Sequence, residues 1–352
     1  MLYAVENNSN EESKAIVTQE GGLAEYDSTL HEEATPSTKE SSGLTKESSG
    51  FENFYQGWHA QSKQQYKEAV KLYKKASKQG CSVAEFHLAK MYQEGLGVHK
   101  DYAKALEGYE KIAKEGYVKA QLLLAQMYEY GNGVAQDSQK AFYWYKQAAQ
   151  QGEVQAQLSL AKMYYEANGV QKSLVKSVKY YKQAIAQGSL EARTGLAMMY
   201  INEKELKRYL QEGKKLLMKA AQKGEVRAQY YLSQLYKQSN VFAKDYDMCV
   251  FWLDKAAKKG YAQAQYELGN MYAHAQGVEL DLTKAVSLLS DAAQSGNSNA
   301  QYDLGLMYYG GIGVKIDKHK TFAYWKSASE NGDKDAQHNL KILCKNEPNV
   351  CQ

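Results

Sequence analysis

Proline is almost missing from this chain. It occurs only as Pro36 and Pro348, so between those positions nothing removes a backbone donor from a helix interior. Cysteine is scarce as well: Cys81, Cys249, Cys344 and Cys351 show no CxxC spacing and no pair that recurs along the chain, which implies neither a disulfide framework nor a zinc site. The seven histidines, His31, His59, His87, His99, His274, His319 and His338, have no partner four residues away and no neighbouring cysteine, so no metal face is expected. An excess of one charge is lacking too. Against 40 acidic residues stand 44 basic ones, a net +4, too small a bias for a polyanion to be the main partner. No segment approaches the roughly 18 apolar residues of a membrane span, and the opening MLYAVENNSNEESK is acidic and amide-rich where a signal peptide would be basic and then apolar. A cytoplasmic protein, or one delivered by a non-classical route, without membrane insertion, is the expectation.

What the chain has instead is a period. A helix-ending motif reads KASKQG at Gly80, KIAKEG at Gly116, QAAQQG at Gly152 and QAIAQG at Gly188. It continues as KAAQKG at Gly224, KAAKKG at Gly260, DAAQSG at Gly296 and SASENG at Gly332, each glycine 36 residues after the one before. A fixed period of this size predicts a solenoid whose units touch only their neighbours.

Counting from each glycine assigns a physical task to each column. Four places on stands Ala84, Ala120, Ala156, Ala192, Ala228, Ala264, Ala300 or Ala336. Eight places on stands Leu88, Leu124, Leu160, Leu196, Leu232, Leu268, Leu304 or Leu340, and twelve places on a tyrosine from Tyr92 to Tyr308. Offsets of four and eight share one helix face, and the small residue after each leucine lets a second helix approach. The loop then reads GLGV at Gly95, GNGV at Gly131, ANGV at Ala167, AQGV at Ala275 and GIGV at Gly311, with glycine ending the first helix at positive φ. Three residues after the valine, Asp101, Asp137, Ser173, Asp281 and Asp317, joined by Asp245, are the expected N-caps of the second helix. Two rows depart: residues 189–224 carry NEKEL for the loop, Tyr209 for the cap and Gly213 for a helix alanine, and residues 225–260 carry SNVF but keep Asp245. Drift, with the length and the Ala, Leu and Tyr columns unchanged, is the reading preferred over a local change of superhelix curvature or a partner-specific loop.

Residues 1–50, rich in Ser, Glu and Thr with a near-tandem TKESSG, hold too few apolar groups to offset ordering, and a disordered polar leader is expected.

From Ala264 to Gly296 the residues AQYELGNMYAHAQGVELDLTKAVSLLSDAAQSG resemble a Sel1-like repeat, the 36-residue relative of the tetratricopeptide repeat. The resemblance extends over residues 81–332 as seven units. Residues 51–80, with Gly57, Gln65 to Ala69, Tyr73 and Ala76, look more like an ordinary tetratricopeptide pair, and residues 333–352 like a capping helix and tail, with Lys341 where other rows have Ala or Gly. The fold expected is all-α: a right-handed α-solenoid of eight stacked antiparallel helix pairs plus the C-terminal cap.

Some secreted Sel1-like proteins have been described as binding or hydrolysing β-lactams, and Ser173-Leu174-Val175-Lys176 matches the S-x-x-K of penicillin-binding enzymes. The same column reads Asp101-x-x-Lys104 and Asp137-x-x-Lys140, so Ser173 is read as a cap and Lys176 as a solvated turn residue, and those relatives' cysteine pair per repeat is missing. No phosphate loop and no base-reading column supports a nucleotide enzyme or a helical-repeat RNA binder. No cofactor, metal or catalytic residue is expected. By analogy with tetratricopeptide arrays the first helices line a concave side, where Lys90, Gln126, Tyr130, Tyr165, Met198, Gln234, Asn270 and Tyr309 are the candidate contacts for a protein or peptide partner of a monomeric adaptor. The aromatics six places after each glycine, Phe86, Tyr230, Tyr266 and Tyr302, also suit that face but fit the core between repeats better. What the resemblance implies beyond interaction is broad: signalling, endoplasmic-reticulum degradation complexes, or bacterial contact with host cells.

Overall fold

A computed structural model describes residues 44–238 and 241–351, with side chains described from Gly50 and none at Gln238. Among the described residues there are seventeen α-helices and no strand. They are α1 (Leu44–Ser62), α2 (Tyr66–Lys78), α3 (Ser82–Glu94), α4 (Tyr102–Lys114), α5 (Val118–Tyr130), α6 (Ser138–Gln150), α7 (Val154–Glu166), α8 (Leu174–Ala186) and α9 (Leu190–Asn202). After them come α10 (Leu210–Gln222), α11 (Val226–Gln238), α12 (Tyr246–Lys258), α13 (Ala262–Ala273), α14 (Leu282–Gln294), α15 (Ser298–Gly310), α16 (Lys318–Glu330) and α17 (Lys334–Asn346). That is eight helix pairs and a lone last helix. The chain divides into two compact units, up to Ala84 and from Glu85 onward.

In the first unit α1 starts at Leu44, so the second TKESSG copy, assigned above to the leader, is helical. The expected boundary at residue 50 is therefore too late. Gly50 is buried, and a Cβ there would already touch Gln79 and Cys81 at 3.4 and 3.6 Å; the glycine serves helix packing, which its Ser- and Glu-rich neighbours conceal. The disorder expected of residues 1–43 lies outside the described residues. At Gly57 a Cβ would come within 2.8 Å of the Tyr73 ring, and the Tyr73 hydroxyl donates to Gln61 Oε1 at 2.7 Å.

In the second unit the repeated columns do what their chemistry requires. Each alanine and leucine column member from Leu124 to Leu304 is buried, and the period-closing glycines take positive φ, as Gly152 does at 93°. There the N–H groups of Gly152 and Glu153 reach back to the carbonyls of Ala149 and Ala148, the helix-ending pair of bonds for which a residue without Cβ is best suited. Asp101, Asp137, Ser173, Asp245, Asp281 and Asp317 all accept a backbone N–H of their helix's first turn. The lysine three residues on does more than expected. Lys104, Lys140, Lys176, Lys284 and Lys320 hold their ammonium groups 4.1–5.3 Å from the ring centres of the twelve-place tyrosines, a cation–π contact repeated from row to row. Lys176 is thus a packing residue and not merely a solvated one.

In the divergent row a 3-10 helix, Lys204–Tyr209, stands where the glycine loop would be. Tyr209 makes no cap and instead stacks on Tyr200 with ring centres 4.9 Å apart.

The C-terminus corrects the reading of the cysteines: Cys344 and Cys351 form a disulfide, their Cα atoms 5.6 Å apart. Pro348–Val350 turn back after α17, and Val350 packs on the terminal cluster of Trp325, Ala328, Ala336 and Leu343. That fold-back has no period, so repeat columns cannot reveal it.

His87, on α3, is 6% exposed, and burial, aided by Lys90 and Lys119, lowers its pKa to about 4. The unfolded chain takes up a proton near pH 6.5 that the folded chain refuses, so this contribution to stability is complete above pH 6.5 and is lost as pH falls towards 4. Urea unfolding of the second unit at pH 5 is expected to show about 2 kcal/mol less stability than at pH 7 from this group. In His87→Leu most of that difference should vanish; an unchanged pH dependence would assign it to other groups.

Candidate functional site

All eight candidate contacts lie on first helices: Lys90 on α3, Gln126 and Tyr130 on α5, Tyr165 on α7, Met198 on α9, Gln234 on α11, Asn270 on α13 and Tyr309 on α15. The fold uses several of them internally. Lys90 pairs with Glu94 at 3.8 Å. Gln234 donates to Glu267 at 2.6 Å, and Asn270 lies beside Tyr266 and Asp303, whose titration it influences. Gln126 is half-buried and Tyr130 is 65% exposed.

The six-place aromatics are inter-repeat packing, as their alternative reading had it. Tyr230 donates to Glu267 at 2.6 Å, Tyr266 faces Asp303 electrostatically, and Asn339 donates to the Tyr302 oxygen at 3.2 Å. The ladder joins column six of one row to column seven of the next. A second ladder, unread in the sequence, runs through the glutamine that follows the column alanine in six of the eight rows: Gln121, Gln229 and Gln301 donate to the carbonyls of Ala113, Ala221 and Ala293 at 3.0–3.1 Å.

Two candidates are brought together. Tyr165 and Met198, from α7 and α9, line a groove of about 410 Å³ with Tyr231 of α11. Lys162 and Arg227 approach the Glu191 carboxylate at 2.8 and 3.5 Å, and Glu166 also lines the groove. The floor exists because of Gly195, where a Cβ would fall 2.6 Å from the ring of Tyr181 and 2.9 Å from its hydroxyl. Burial, with Glu166 and Glu191 nearby, pushes the Tyr181 phenol up to about 12, so it stays protonated. Tyr309 lines a smaller groove of about 160 Å³ with Leu306, Trp325 and Ile342; Leu306, Tyr309 and Ile342 are among the exposed large apolar side chains.

Columns three and seven, which supply Glu191, Arg227, Gly195 and Tyr231, went unread in the sequence. The signal was helical periodicity itself, because offsets of three, seven, ten and fourteen share one face, and Lys162, Met198 and Glu166 occupy the last two. Ser173, the enzyme-like serine, caps α8 through an Oγ contact of 3.3 Å with the Lys176 N–H. Among the described residues no three potential ligands gather to hold a metal, and no helix is long and apolar enough to cross a membrane.

The sequence model of the Sel1 repeat matches residues 50–81, 82–117, 118–153, 154–189, 226–261, 262–297 and 298–333. The first pair, read above as an ordinary tetratricopeptide unit, is therefore a Sel1 unit, and the unmatched stretch is the row containing the 3-10 helix. Its loop hid the relationship: only residues 63–65 join α1 to α2, four fewer than the 95–101 that join α3 to α4. Among solved structures, a Sel1 repeat protein from Oxalobacter formigenes is 26% identical over 97% of this chain and 98% of its own, with a TM-score of 0.70. The protein c5321, described as a protective antigen present in uropathogenic Escherichia coli strains and displaying an SLR fold, is 28% identical over 85% of this chain, with a TM-score of 0.60. This chain spans 65% of c5321's length. No curated protein matches the chain.

Proposed function

We propose, from the premise that the chain belongs to the Sel1 repeat family, that it is a non-enzymatic adaptor that holds a protein or peptide partner on the concave, first-helix face of its repeats. Sel1 repeat proteins generally mediate protein–protein interaction, and the family's fold is typically a scaffold without catalysis. The observation that carries the reading is the groove in which Tyr165 and Met198, chosen from repeat columns alone, meet Tyr231 and Arg227. Tyrosine, methionine and arginine are the side chains that dominate binding hot spots or adapt to varied partners.

The Cys344–Cys351 disulfide supports an oxidising compartment, because such bonds are rare in a reducing cytosol. Of the two placements, delivery out of the cytoplasm is the better supported.

The test compares two folded triple variants of the full chain in capture and cross-linking mass spectrometry. Tyr165→Ala with Met198→Ala and Tyr309→Ala is expected to lose the captured partner. Tyr143→Ala with Val175→Ala and Phe251→Ala, exposed residues of the second helices, is expected to keep it, with cross-links to α7, α9 and α11. The reverse pattern would move the interface to the second-helix face.

A further inference from the structure

The groove at Gly195 is lined by a tyrosine hydroxyl that has no protein partner among the described residues. In three earlier pairs the tyrosine that leads the second helix into the core is satisfied by a side chain of the first. Tyr73 donates to Gln61 at 2.7 Å and Tyr109 to Gln93 at 2.8 Å, and the Tyr145 hydroxyl donates to Glu129. Each acceptor is the sp² oxygen of a carboxamide or carboxylate. The corresponding tyrosine of the next pair is Tyr181, 5% exposed, and the first-helix position that matches Gln93 and Glu129 is occupied by Tyr165. Glu203 acts on that phenol electrostatically, while Lys172 lies 5.3 Å from its ring centre. The Tyr181 hydroxyl has no hydrogen-bond partner among the described residues, and because Gly195 lacks a Cβ, which would fall 2.9 Å from that oxygen, the hydroxyl stays open to the groove.

We propose that this groove binds a carboxamide side chain, Gln or Asn, of a partner peptide, whose oxygen takes the place that Gln61, Gln93 and Glu129 hold in the other pairs. The choice of carboxamide over carboxylate follows from the surrounding charges. Lys162 and Arg227 are already engaged by Glu191, whereas Glu166 has no ion pair among the described residues and would repel a second carboxylate. A carboxamide satisfies both groups, accepting from the Tyr181 hydroxyl and donating to Glu166. Tyr165, Tyr231 and Met198 would cover its methylene stem. The inference rests on the reading of the first-helix face as the partner-binding one.

The test is saturation-transfer NMR of the full chain with five-residue peptides carrying an N-terminal acetyl and a C-terminal N-methylamide, so that no primary carboxamide is present at the ends, alanine throughout except for a central Gln, Asn, Glu or Leu. The Gln or Asn peptide is expected to bind most tightly, and Tyr181→Phe to weaken it by roughly fivefold, the size of one hydrogen bond, with the melting temperature unchanged. Tyr145→Phe supplies the contrast: it loses an internal bond, so it should lower the melting temperature and leave peptide binding intact. Equal or tighter binding of the Glu or Leu peptide, no transfer from any peptide, or full binding by Tyr181→Phe would overturn the proposal. So would a drop in melting temperature for Tyr181→Phe like that of Tyr145→Phe, because the hydroxyl would then have an internal partner. Failure here with partner capture still lost in the Tyr165, Met198 and Tyr309 variant leaves the adaptor standing. Carboxamide binding with capture unaffected by that variant removes the adaptor face and keeps the site.

Discussion

Substituting Gly169 by Ala is expected to destabilise the second unit by about 2–5 kcal/mol, the sum of a left-handed conformation forced on a residue with a Cβ and an overpacked contact. Gly169 has φ of 68°, and its added Cβ would sit 2.3 Å from the carbonyl oxygen of Ser138, a backbone atom of the previous pair that cannot rotate aside. The second glycine of three other such loops meets the pair before it in the same way. Gly133 and Gly277 would collide with Tyr102 and Tyr246, at 2.2 and 2.6 Å, and Gly313 with Leu282 at 2.7 Å. Two comparisons isolate the contact from the conformation. Ala167, two residues earlier, already has φ of 62°, and Ala275 has 52°, so alanine is accommodated at positive φ where there is room. Gly152 has φ of 93° with nothing within 4 Å of an added Cβ; Gly152→Ala should therefore cost only the conformational part, about 1–2 kcal/mol. Urea denaturation of the two variants checks this, and equal losses would mean that neighbouring loops separate at little cost.

That pair of glycines marks what the sequence revealed and what it did not. Its period made the helices, their caps and the buried alanine and leucine columns legible, because each feature is a local requirement repeated at the same offset. A glycine at positive φ is such a requirement. A glycine that a neighbouring pair's backbone needs small is not, because the reason lies a whole period away in the chain. The same limit hid the disulfide, made by a turn outside the repeats, and the Gly50 contact, which looked like linker. It also explains the partial success with the face. Tyr165 and Met198 were legible as exposed positions of a known helix pair. Their union with Arg227 and Tyr231 into one groove depends on Gly195, the one residue without a side chain in a column that elsewhere holds His87, Leu123, Ser159, Tyr231, Glu267, Asp303 or Asn339. Gln234 and Asn270, equally exposed by column, are turned to Glu267 and Asp303 because those next-row carboxylates need donors.

Leu232→Ala is the second large effect, expected to cost about 2–5 kcal/mol as a cavity in a packed core. Leu232 is 0% exposed and sits in a cluster with Leu217, Leu235 and Trp252, in the row whose loop reads SNVF and directly after the row whose loop is a 3-10 helix. Here the row before lacks a side-chain cap at Tyr209, and no GxGV glycine locks its loop against the preceding pair. In a linear array stability is close to a sum of unit and interface terms, so a loss placed at the weakest interface does more than lower the total. It separates the helices before α10 from those after α12 as cooperative blocks. Urea unfolding of the variant should therefore show two transitions where the parent shows one. Hydrogen exchange should place early opening in α10 to α12, with α5 to α8 and α14 to α16 protected. A single transition shifted by the full cost would mean that these divergent loops couple their neighbours as firmly as the glycine loops do; an unshifted melt would mean that the column is not core.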